Sequence, residues 1–120
     1  MLLIAQIFTG LVLLIHVYIV LLETVLFKSR GAKVFGLKGE QVDAMASAMA
    51  NQGLYNGFLV VALVLGFCLP DPAIAGAFRL YALGCVAVAG IIGALTVQMR
   101  ILYVQTVPAA VALIALYLAH

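Results

Sequence analysis

A polar stripe runs through one of the most apolar parts of this sequence. Gln6, Thr9, His16 and Glu23 lie in the first stretch of the chain, and at 100° per residue an α-helix gathers them into an arc of roughly 100°. His16 can exchange a proton near neutral pH, which suits a general acid or base. Glu23 lies two turns further along the same stripe, placed to orient the imidazole or balance its charge. Two plainer readings stand beside these. His16 can be a structural histidine satisfied by a neighbouring helix, and Glu23 an interfacial carboxylate near Lys28. A polar side chain facing acyl chains is costly, so the stripe is expected to turn toward a bundle interior.

The second cluster is Asn51-Gln-Gly-Leu-Tyr-Asn-Gly57. In a helix Gln52 and Asn56 stack at i, i+4, and Asn51 and Tyr55 do the same on the adjoining face. One side chain is enough to cap a helix N-terminus. Asn51, Gln52, Tyr55 and Asn56 together exceed that need and are candidate ligand-binding residues, amides and a phenol presented to a pocket. Gly53 and Gly57 form G-x-x-x-G, which permits close backbone approach. Ala89 with Gly93, and Gly90 with Ala94, offer a second small-residue packing face. Near the third turn lie Thr96, Gln98, Arg100, Tyr103 and Gln105. Arg100 and Tyr103 join the ligand-binding candidates, although Arg100 also reads as an anchor that snorkels to lipid phosphates.

Other chemistries find less support. His16, Glu23 and one more donor drawn across helices would be needed to hold a metal, and His120 is the chain end on the opposite side, so no metal site is assigned. Cys68 and Cys85 form no C-x-x-C and read as packing thiols. A net charge of +2 and the absence of a long Lys/Arg run argue against nucleic acid.

The elements that must position these residues follow from composition. Of 120 residues, 68% are hydrophobic and 8% charged; soluble domains are nearer half apolar and a quarter charged. A water-soluble fold of this length could not bury that much apolar surface, whereas a lipid solvent removes the conflict. The fold expected is an all-α integral membrane protein, a single four-transmembrane-helix bundle with spans at about 2–27, 51–69, 80–97 and 101–119, each near the ~20 residues a crossing requires. Pro70-Asp71-Pro72 stops the second span, and Pro108 inside the fourth removes the hydrogen bond to the Val104 carbonyl. The start of the chain lacks a positive n-region and is read as a retained helix. Between the first two spans, Val42, Met45, Ala46 and Met49 mark one helical face, which extends the second helix out of the membrane. Lys28, Arg30, Lys33 and Lys38 in this connection, with Arg100, oppose Arg79 alone on the other side. The long loop is therefore placed in the cytoplasm and both termini outside. The polar residues then converge on the cytoplasmic half.

The run Asn51-Gln-Gly-Leu-Tyr-Asn-Gly-Phe-Leu59, with His16 and Glu23 upstream and Val34-Phe-Gly-Leu37 between, resembles the bacterial small membrane-protein family named domain of unknown function 1304. The likeness spans nearly the whole chain and implies a four-helix, multi-pass inner-membrane protein, without implying a reaction. The layout is also similar to the membrane-associated eicosanoid and glutathione metabolism (MAPEG) proteins. That likeness implies a homotrimer binding glutathione near the cytoplasmic face. Asn51 would match their helix-two Asn, and Arg100 would be the arginine that assists the thiolate. The acidic residue three positions after that Asn is Leu54 here, and the preceding basic residues are absent, which weighs against glutathione.

Three functions compete on these grounds. The first is a membrane enzyme or binder for a small amphipathic molecule, with His16 and Glu23 catalytic. The others are a small proton-coupled exporter and a non-catalytic accessory subunit. The topology itself is testable. In a variant lacking Cys68 and Cys85, Ala73→Cys should react with an impermeant maleimide in intact cells. Ser29→Cys should react only after permeabilisation, and the reverse pattern would overturn the orientation.

Overall fold

Long apolar runs without internal breakers become long helices. The structure is a computed structural model that describes residues 1–119; His120 lies outside the described residues. Its elements are α1 (Leu2–Glu23), a π-helical turn (Phe27–Gly31), α2 (Ala32–Val34), α3 (Glu40–Cys68), α4 (Pro72–Thr96), a second π-helical turn (Leu102–Thr106) and α5 (Val107–Leu118). The described residues contain no strand. α1, α3 and α4 are long and apolar enough to cross a membrane, and Leu102–Leu118 is a shorter apolar helix. Large apolar side chains such as Leu14, Leu95 and Tyr117 are exposed on these helices, as lipid-facing positions would be.

The ends of these helices have local causes. The α-helical register of α1 stops at Glu23, where the Thr24 hydroxyl donates to the Val20 carbonyl at 2.6 Å. The Leu26 N–H then bonds the Leu21 carbonyl five residues back, and the chain passes Phe27 in a π turn. Gly36 and Gly39 adopt φ of 76° and 56°, a left-handed conformation that glycine takes without strain, and they turn the chain into α3. α3 unites the amphipathic 42–49 face with the apolar span as one helix of 29 residues, about 43 Å long. α4 begins at Pro72, ahead of the apolar stretch at 80, because Asp71 caps it: its carboxylate accepts from the N–H of Ala73 at 2.9 Å and of Ile74 at 3.4 Å. Proline at the first helical position adds a preset φ.

The chain divides into two compact units, 16–60 and 1–15 with 61 onward. In the first, Phe27, Ala32 and Met49 form a buried cluster on which Phe35, Leu37, Val42 and Ala46 pack. Gly31 lies so close to the Leu22 carbonyl that a side chain there would collide with backbone. In the second, the α4 and α5 helices pair through small residues. Ala82, Ala109 and Ala112 are fully buried. Gly90 faces Thr106 and Gln105, Gly93 faces Ile101, and the Thr106 hydroxyl donates to the Ala87 carbonyl at 2.9 Å.

The glycines of α4 separate tight from open positions. A Cβ at Gly90 would meet the Thr106 backbone nitrogen at 2.8 Å, whereas a Cβ at Gly84 meets nothing within 4 Å. Gly90→Ala is expected to lower unfolding stability in detergent by about 1–3 kcal/mol. Gly84→Ala should be neutral or raise it by up to about 1 kcal/mol, since Ala is the better helix former. Equal effects of the two substitutions would refute this packing.

Candidate functional site

The α1 helix brings two ionisable side chains into the interior. His16 is 1% exposed and Glu23 2% exposed. They are seven residues apart on one helix, a rise of about 10 Å, so they share a face at different depths. The polar contacts shown for Glu23 come from α3. The Asn56 Nδ2 donates to Glu23 Oε1 at 2.6 Å, and Gln52, one turn earlier on α3, lies beside the same carboxyl group. Such amide donors replace the water a buried carboxyl group has lost.

This pairing needs the helices to approach closely. At Gly53, between the two amide positions, a Cβ would fall 2.5 Å from Thr24 Cγ2 and 3.2 Å from Glu23 Cβ. A side chain at this position would have to push the Thr24 side chain aside and crowd Glu23. Gly57, its partner in the G-x-x-x-G, has nothing within 4 Å. The close approach therefore belongs to one glycine and not to the pair.

The Asn51–Gly57 motif is divided by its helix. Gly53 is buried and Asn56 half-buried against Glu23, with Gln52 exposed at their edge, while Asn51 and Tyr55 are exposed on the adjoining face. Tyr55 stacks edge-to-face on Phe58 with ring centroids 5.7 Å apart. Glu23 with Gln52 and Asn56 thus forms one connected group, flanked on α3 by two exposed polar side chains. Arg100 and Tyr103 belong to the other unit, where both are exposed near the α4–α5 turn. The described residues contain no group of three or more His, Cys, Asp or Glu placed to hold a metal ion.

Other polar links escaped the sequence reading. Arg30 Nε donates to the Tyr18 hydroxyl at 2.7 Å, and its guanidinium carbon lies 5.9 Å from the Tyr18 ring centroid. This pairing depends on the chain folding back after α1, which no residue spacing announces. A tyrosine near the end of an apolar helix was the available signal, since such residues favour the membrane interface.

The chemistry of the group follows from amide geometry. Each carboxamide that turns its –NH2 to the carboxylate keeps a carbonyl oxygen free to accept. The site is therefore rich in acceptors and suits a partner that donates hydrogen bonds or carries positive charge.

Comparisons with known proteins bear on the chain as a whole. No curated protein matches it, and no solved structure does. A model of the family described as "Protein of unknown function (DUF1304)" matches residues 10–117. That span takes in α1 from Gly10, the whole of α3 with its Gln52–Asn56 face, and nearly all of α5, so the chain belongs to the DUF1304 family.

Proposed function

We propose that this is a four-span bacterial inner-membrane protein, with its termini outside and its 28–50 connection in the cytoplasm, that holds a small amphipathic molecule beside Glu23. The observation that carries this reading is the buried Glu23 carboxylate bonded by Asn56 at 2.6 Å. An ionisable group within a membrane span is expensive and by default marks a functional site. Asn51 and Tyr55, exposed next to it, supply further polar contacts for a headgroup. His16, buried on the same helix face, is the candidate acid or base should the bound molecule be transformed. Leu102–Leu118 serves as the fourth span, its length of about 25 Å at the short end of what crosses a bilayer. Glutathione, with the trimer implied by the MAPEG likeness, fits this site less well, because it is polar throughout and has no apolar tail.

A second reading has the same observation in its favour. A buried carboxylate on the first helix also suits a proton-coupled exporter of hydrophobic cations. Proteoliposomes separate the two. An exporter exchanges protons for cation down an imposed pH gradient and loses this with Glu23→Gln, while a binder does neither.

Two measurements test the site. The first is a double-mutant cycle of Glu23→Gln and Asn56→Ala on unfolding stability. A bond to a charged group should give a coupling of about 1.5–3 kcal/mol. Ordinary interhelical polar pairs in membranes average only about 0.6 kcal/mol, and a value that low would reduce the contact to assembly glue. The second is thermal stability against a panel of glutathione, quinones, fatty acids and hydrophobic cations. A ligand at a hundredfold excess over its Kd adds about 2.7 kcal/mol, and the shift should vanish in Asn56→Ala. The binding proposal is lost when no class raises the Tm of a well-folded sample.

A further inference from the structure

We propose that Arg30, held on Tyr18, forms with Lys33 a binding site for the phosphate of an anionic phospholipid headgroup. The placement begins with the π turn. Gly31 packs against the Leu22 carbonyl where no side chain fits, so the chain after α1 folds back over the end of the helix. Arg30 is thereby brought to Tyr18, five residues before the end of α1, and its Nε donates to the Tyr18 hydroxyl at 2.7 Å. The ring also lies 5.9 Å from the guanidinium carbon, within cation–π range. Using Nε in this way fixes the plane of the guanidinium and leaves its two terminal amino groups for a further acceptor. Their fork geometry matches a phosphate.

Lys33 lies three residues on, in the short α2 helix that follows the π turn, and it is exposed. Lys28 differs, because it is drawn 3.8 Å from Asp43. The segment carrying these cations is anchored by the cluster of Phe27, Ala32 and Met49, with Phe35 and Leu37 packed on it. The backbone that carries both cations is thus held in place, and Arg30 is also fixed on Tyr18, which lowers the ordering cost of binding. Tyr18 lies five residues short of the end of a helix apolar and long enough to span, and on the membrane reading the headgroup phosphates at that end are within reach of the segment. Two cations carried on one short segment favour a lipid of net negative charge over a zwitterion. The inference rests on the membrane reading above.

The test is the lipid retained by the full chain purified from mixed phosphatidylglycerol and phosphatidylcholine. Each of the two cations on the bound phosphate is worth about fivefold in preference, so the wild type should enrich phosphatidylglycerol well above the bulk ratio. Arg30→Gln with Lys33→Gln should restore the bulk ratio, Tyr18→Phe should lower the enrichment by a smaller factor, and Lys38→Gln should leave it unchanged. Equal retention of the two lipids by wild type, or an undiminished preference in the double variant, overturns the proposal. A loss with Lys38→Gln as large as with the double variant does so too, because the effect is then diffuse charge. Displacement of the lipid by millimolar inorganic phosphate would make it a free-anion site, against the proposal. A chain recovered without detergent in the soluble fraction defeats the membrane reading instead.

Discussion

Burying a carboxylate among apolar helices is the constraint that organises the 16–60 unit. Taking such a charge from water costs several kcal/mol unless donors take water's place. Glu23 finds one 33 residues away on Asn56, with Gln52 a turn before it on the same helix. Short carboxamides reach it only where the helices nearly touch. That demand falls on position 53, where a Cβ would intrude on both Thr24 and Glu23. One polar contact thereby dictates a glycine, the approach of two helices and the direction in which α1 must end.

The helical pattern was legible because it depends on local spacing. The 42–49 face and the 51–69 apolar stretch read as one element, and they form the single helix Glu40–Cys68. The two adjoining faces of the Asn51–Gly57 motif were legible for the same reason. The partner of Asn56 was not, because hydrogen bonding to Glu23 depends on how α1 and α3 cross, and several polar residues of α1 could have met it. Gly53 and Gly57 look alike in sequence, yet only Gly53 meets a neighbouring helix. The division depends on the crossing point, which spacing alone does not fix.

The π turns were the least legible feature, since no residue type favours them strongly. Each does a similar job at the end or start of a long helix. At Phe27–Gly31, bonding five residues back, as from the Gly31 N–H to the Leu26 carbonyl at 2.8 Å, re-aims the chain so that Gly31 can pack on Leu22. At Leu102–Thr106 the Val107 N–H reaches the Leu102 carbonyl, just before Pro108, which has no N–H to give. There Thr106 takes up the Ala87 carbonyl beside Gly90. In both places a wider turn brings a chosen side chain against a neighbour that a continuous α-helix would have rotated away. π turns inside helices often occur where function needs such a shift.

Depth is the last link between this architecture and an amphipathic ligand. From Gln52 to the end of α3 at Cys68 the helix rises about 25 Å, a little less than the ~30 Å hydrocarbon core of a bilayer. On the membrane reading, the Gln52–Asn56 face therefore lies where acyl chains give way to headgroups. Glu23, the last residue of α1, reaches the same level from the other helix. A molecule with an apolar tail and a donor-bearing head would find its tail among exposed Leu54 and Phe58 and its head beside the carboxamide oxygens. A fully polar ligand would gain nothing from the first, and a hydrocarbon nothing from the second. On the proposed reading, the depth of the carboxyl group, set by where α1 ends, would select the class of molecule as much as its charge would.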